Sequence, residues 1–121
     1  MNAKSIRNVD LCLYDMLQAA REIQEFCAVD QAVFMQDRMR QRAVIQCFEV
    51  LGEACKKLPA SLRDRHPELP WRYMAAFRDK LIHDYFEIDL QLVWSTARQE
   101  IPKLIPQLDT IACTHRRDTD L

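Results

Sequence analysis

A single glycine, Gly52, stands in a chain of 121 residues. A β-rich fold of this length draws on glycine at its turns and bulges, so the composition disfavours strands and favours helices. No run of eighteen apolar residues and no signal-peptide pattern is present, which excludes a membrane partner from the expectations. The five cysteines, at 12, 27, 47, 55 and 113, are an odd set without a C-x-x-C pair. Four of them, all but Cys113, sit in apolar helical stretches, where a free thiol behaves as a small hydrophobe. A reduced, cytoplasmic protein is expected. Net charge is also lacking: at −1 the chain has no global attraction for nucleic acid or membrane.

What is present is apolar residue in quantity, 49% of the chain, enough for a core in one domain spanning 1–121. Ile6, Val9, Leu13, Met16, Leu17, Ala20, Ile23 and Cys27 recur at three- and four-residue steps and predict one long helix. Asp30 to Gln36 breaks that pattern as a short turn. A second helix is predicted from Asp37 to Leu58, striped by Val44, Phe48, Leu51, Cys55 and Leu58. Gly52 in its interior costs about 1 kcal/mol relative to alanine, which points to a neighbouring helix packed close against it. Pro59, Pro67 and Pro70 then interrupt regular helix, with Ser61 a candidate cap for a single turn and Pro70 suited to the first position of the next helix. The third main helix begins near Trp71 and turns Met74, Phe77 and Leu81 inward. The last begins at an Asp89 N-cap and buries a stripe from Leu90 to Ile111, with a kink expected at Pro102. Residues 113–121 read as a frayed polar tail. The fold class is all-α, an antiparallel bundle of four to five helices.

Basic residues concentrate in the middle of the chain. Segment 37–88 holds 10 of the 17, against 8 acids, while 1–36 carries 3 and 5 and 89–121 carries 4 and 5. Within that segment, "FRDKLIHDYF" sets Arg78 and His83 five apart on the third helix. Five residues turn about 140° around a helix axis. With Arg78 at zero, Met74, Phe77 and Leu81 fall between about 260° and 320° and His83 near 140°, almost opposite the buried stripe. Asp79, one turn before His83, is placed to accept a bond from its imidazole. For Arg78 and His83 to act on one group, either the helix unwinds after about Leu81 or a second chain brings its own copy across a two-fold axis. Tyr85 falls at about 340°, beside the buried stripe, as a half-buried packing residue would. Glu49 and Glu53, four apart, read as a solvated pair with Lys56 and Lys57 one turn on. A metal site drawn from His83, Asp84, Asp79 and His66 lacks the spaced histidines that such sites need, and no cofactor is expected.

The R-x4-H pattern, followed by H-x-Y, resembles the signature of the HEPN superfamily of helical ribonucleases. The pieces "VIQCFEVLGEACKKLP", "RHPELPWRYMAAFRDKLIHDYFEIDLQLVW" and "EIPKL" stand in the order and spacing of a HepT-type toxin, and the resemblance spans roughly residues 5 to 108. It implies an all-helical homodimer that cleaves RNA without a metal, with Arg78 and His83 catalytic and Asp79 at the motif's polar position. It also implies a partner, a small nucleotidyltransferase antitoxin that adenylylates the motif tyrosine, matched here by Tyr85. Asp84 stands where such relatives often carry glycine, adding negative charge near the phosphate.

The chemistry is coherent on the residues alone. RNA supplies its own nucleophile, the 2′-hydroxyl, so a protein need only move two protons and stabilise charge on phosphorus. Histidine, with an ordinary pKa of about 6.5, moves protons near neutrality. Arginine stays charged and grips phosphate oxygens in a fork. Arg38, Arg40, Arg42, Lys56, Arg72 and Lys80 are candidates for a local RNA-binding patch. A second reading is a non-catalytic helical adaptor, in which the same face holds a nucleotide or docks a nucleotidyltransferase.

Overall fold

The computed structural model describes residues 3–84 and 86–119; side chains are described for 8–84 and 86–117. The described residues form seven helices and no strand: α1 (Ala3–Phe26), α2 (Gln31–Gln36), α3 (Arg38–Lys57), α4 (Ala60–Arg65), α5 (Trp71–His83), α6 (Leu90–Gln99) and α7 (Ile101–Thr119). The chain is all-helical, as its glycine poverty implies. Five of the helices are long, and two, α2 and α4, are single short segments of 6 residues.

One apolar core runs through the bundle. The stripes expected from periodicity are buried: Leu13, Met16 and Ile23 on α1, Val44, Phe48 and Leu51 on α3, Met74, Phe77 and Leu81 on α5, and Val93, Leu104, Leu108 and Ile111 on α6 and α7. α1 lies between α3 and α7, while α5 packs on the far side of α3. Phe48 and Phe77 join α3 to α5 edge to face, ring centres 4.9 Å apart. A buried aromatic pair of this kind adds about 0.5–1.5 kcal/mol beyond its area.

Two helix starts are capped by aspartates, Asp89 as read from the sequence and Asp37 in addition. Asp37 accepts from the Arg40 amide at 3.1 Å, and Asp89 from the Leu92 amide at 3.1 Å, satisfying amides that a helix N-terminus leaves bare. The segment 30–36 is not a plain turn. α2 forms there because Phe34 is fully buried, its ring 5.2 Å from Trp94, and a helical turn is the compact way to deliver it. Pro59, not Ser61, precedes α4, and Pro70 sits one residue before α5.

The last predicted helix is two. α6 ends at Gln99, the amide of the next residue, Glu100, still donates to the Thr96 carbonyl at 2.9 Å, and α7 starts at Ile101. Pro102, which can donate no amide, is thereby placed in the first turn of a helix, where none is required. α7 then continues to Thr119, through the segment expected to fray. His115 is only 7% exposed and its Nδ1 lies 2.8 Å from Asp10 on α1, a long-range anchor that local polarity conceals. The α1 C-terminus is closed by two guanidinium groups: Arg40 donates to the Phe26 carbonyl at 2.8 Å and Arg98 to the Cys27 carbonyl at 3.0 Å.

Candidate active site

The site is built on α5, and α5 is positioned by its first and inward residues. The Trp71 indole donates to the His66 carbonyl at 2.8 Å, tying the helix start to the proline-rich connection. Met74, Phe77 and Leu81 then press one face into the core. Arg78 is left at the edge of that face, where α5 crosses α3.

The crossing is close because of Gly52. A Cβ at this position would run into the Cβ of Arg78, and would lie 2.8 Å from its Cγ and 3.0 Å from the Met74 carbonyl oxygen. The stem of Arg78 therefore rests directly on the α3 backbone. The chain's sole glycine is the seat of its motif arginine, so the packing role read from the sequence has a chemical consequence.

Beyond the stem, the guanidinium is held by two carboxylates. Its Nη1 donates to Asp79 Oδ1 at 3.0 Å, and its Nη2 lies 3.2 Å from Glu53 Oε2 on α3. Its Nε is buried and makes no hydrogen bond among the described residues. Lys56, also on α3, donates to the same Asp79 oxygen at 2.6 Å. The Lys56 bond first and the Arg78 bond second hold the Asp79 carboxyl below its ordinary range. Two expectations are corrected here. Asp79 is spent on Lys56 and Arg78 rather than on the His83 imidazole. Glu53 keeps a half-exposed side chain, but its ion pair is with Arg78 on α5 rather than with Lys56 or Lys57.

α5 stays helical to His83, so the unwinding that would swing histidine toward arginine within one chain does not occur. The two residues stand about 140° apart around the axis and about 7.5 Å apart along it. His83 is exposed, and its side chain makes no hydrogen bond or ion pair among the described residues. Asp84 caps the helix end and takes a bond from Lys80 at 2.8 Å, which raises the Lys80 pKa and balances the extra negative charge locally. Tyr85 lies outside the described residues. Phe86, next to it, is 87% exposed.

A groove of about 830 Å³ runs between α1, α3 and α5, with Arg78 on its wall. Leu11, Val50 and Ile82 give it an apolar side, while Asp15, Glu49 and Glu53 stand against Lys57 and Arg78, three acids to two bases. Of the six basic residues proposed for an RNA patch, Lys56 reaches the site; Arg40 is committed to the α1 carbonyl and Lys80 to Asp84. The four residues considered for a metal do not converge. His66 pairs with Glu68 at 3.4 Å, Asp79 with Lys56 and Asp84 with Lys80, and no cluster of metal donors occurs among the described residues. No helix is long and apolar enough to cross a membrane among the described residues.

Comparison with known proteins agrees with the motif. The family model described as "Ribonuclease HepT-like" matches residues 16–111. A protein of Thermococcus cleftensis named "Probable ribonuclease HepT" is 44% identical over 96 residues, 76% of this chain and 84% of the relative. A candidate RNase of Methanocaldococcus jannaschii is 40% identical over 106 residues, 87% of this chain and 91% of the relative. A candidate RNase of Caldanaerobacter subterraneus subsp. tengcongensis is 41% identical over 78 residues, 64% of this chain and 70% of the relative. No solved structure gives a significant match. With a family match that covers most of the helical core and contains Arg78, His83 and the Gly52 seat, this chain belongs to the HepT-like ribonuclease family.

Proposed function

We propose that the chain is an endoribonuclease toxin that cuts RNA by attack of the 2′-hydroxyl on the adjacent phosphorus, without a metal, in a cleft shared by two identical chains. The observation that carries this reading is the contrast between the two motif residues. Arg78 is seated and oriented on α3, while His83 stands exposed with no structural partner among the described residues. A histidine that does nothing for the fold is available for proton transfer. Because α5 is continuous between them, the arginine of one chain meets the histidine of its mate across a two-fold axis. One His83 takes the proton from the 2′-hydroxyl, the 5′-oxygen leaves with a proton from the other, and Arg78 holds the phosphate oxygens as negative charge grows on them. The apolar wall of Leu11, Val50 and Ile82 supports a second copy as the occupant of the groove, since its acid-leaning charge does not suit RNA.

In this reading a nucleotidyltransferase encoded nearby silences the enzyme by adenylylating Tyr85, two residues beyond His83. The added AMP is a bulky anion close to where the substrate phosphate must bind.

The test is expression of the chain alone, followed by mapping of RNA ends. Growth arrest, chelator-resistant cleavage and 2′,3′-cyclic phosphate with 5′-hydroxyl ends are expected; 3′-hydroxyl ends would refute the chemistry. Arg78→Ala and His83→Ala each abolish cleavage. Mixing the two inactive variants restores no cleavage, because every mixed dimer keeps a single His83 and the reaction uses both. The adaptor reading draws support from one observation, that two carboxylates already occupy Arg78. An adaptor leaves growth unaffected when expressed alone.

A further inference from the structure

We propose that Glu53 is the positioning residue for Arg78: from the neighbouring helix it fixes the rotation of the guanidinium, so that the protons left over face the substrate phosphate. This deepens the ribonuclease reading above and rests on it.

A guanidinium has five N–H donors. In Arg78 the Nε proton is buried, one Nη1 proton goes to Asp79, and Nη2 faces Glu53. At least one proton remains on each Nη, and one on each is the number that a bidentate grip on phosphate uses. Which way those two protons point depends on the head group's rotation, and the stem alone cannot set it. Gly52 seats the Cβ and Cγ, but the torsions beyond Cγ stay open to rotation.

The two carboxylates are not equivalent in this respect. Asp79 is adjacent to Arg78 on α5 and moves with it. Glu53 belongs to α3, next in sequence to the seat itself, and so holds the head relative to the helix on which the stem rests. Lys56, one turn beyond Gly52, ties Asp79 back to the same helix at 2.6 Å. Three consecutive functions are thus placed on one stretch of α3: a seat at 52, a tether for the head at 53 and a tether for its neighbour at 56. Arg78 is only 27% exposed in its side chain, consistent with a group held against α3 rather than swinging in solvent.

The rival account of the same contact is competition: Glu53 occupies Arg78 in place of phosphate and must be displaced. The two accounts predict opposite effects. If Glu53 positions the arginine, removing it lowers turnover; if it competes, removing it tightens RNA binding with turnover intact.

The test uses the full chain and a labelled single-stranded RNA containing a site mapped in total cellular RNA. Glu53→Ala is expected to lower kcat by about 30- to 100-fold, the scale of a misplaced catalytic group, with KM moving by less than about threefold. Glu53→Gln is expected to recover activity to within about fivefold of wild type, because its amide oxygen stands where the carboxylate oxygen does, 3.2 Å from Nη2, and can take one of its protons. Wild-type kcat in Glu53→Ala, or tighter binding without loss of turnover, overturns the proposal. A second readout is independent of cleavage: by NMR the Arg78 Nε–H exchanges slowly with solvent in wild type and at least about tenfold faster in Glu53→Ala. Unchanged exchange overturns positioning whether or not RNA is cut. A wild-type chain that cuts no RNA overturns the ribonuclease reading alone, and the exchange rates then decide the role of Glu53.

Discussion

Substituting Gly52 by alanine separates stability from catalysis in a way the geometry makes quantitative. The new methyl would run into the Arg78 Cβ, which the backbone of α5 fixes, and lie 2.8 Å from its Cγ. Carbon atoms settle about 3.5–4.0 Å apart, so α5 must retreat from α3 by roughly 1 Å. Overpacking of this size costs about 1–3 kcal/mol. Alanine returns about 1 kcal/mol through its better helix propensity. The net loss is about 0–2 kcal/mol, well inside the stability of a domain this size, so the variant folds. Catalysis should suffer far more. Shifting a positioned group by about 1 Å costs on the order of 100-fold in rate. The expected result is therefore a modest drop in the urea midpoint with an unchanged slope, alongside RNA cleavage reduced by about two orders of magnitude. Cleavage at the wild-type rate in a folded Gly52→Ala chain would refute the idea that this crossing sets the arginine.

Two further predictions concern titration and reactivity. The Asp79 pKa is depressed in the fold, so its pairing stabilises the chain above the unfolded carboxylate value of about 3.9 and is lost as pH falls through the folded value. The stability gap between wild type and Lys56→Met should narrow as pH falls from about 6 to about 3, read by urea unfolding at each pH; a constant gap would contradict the pairing. Burial pushes the Cys27 thiol up to about 11 and the Cys47 and Cys55 thiols up to about 12, whereas Cys113 is exposed. Ellman's reagent near neutrality should label Cys113 at once and these three only after denaturation; rapid labelling of the folded Cys113→Ser chain at any of them counts against the core described.

The helical stripes were legible because periodicity needs only the apolar positions themselves. Asp89 was legible as a cap because capping is a contact over three residues; Asp37, read only as the start of its helix, caps in the same way. α2 was not, since six residues are too few for a period to show, and the reason for its helicity, Phe34 against Trp94, lies 60 residues away. The same limit explains the site. The motif gave Arg78 and His83, and the angle between them stood because α5 is regular. The partners of Asp79 and Glu53 were misread because i, i+4 neighbours were weighed against nothing else. Once Gly52 lets α5 lie on α3, the nearest opposite charges are across the crossing, not along the helix. The glycine was the available clue: a helix-interior glycine opposite an arginine marks where long-range partners replace local ones.

The unbroken course of α5 from Arg78 to His83 has a quantitative consequence for dosage in the cell. If neither half of the proton-and-charge machinery can reach the other within a subunit, a dilute subunit is inert. Below the dissociation constant for pairing, RNA cleavage would climb with the square of expression rather than in proportion to it. A rigid stretch of backbone would then act as a threshold, tolerating leaky synthesis and responding sharply to a surge.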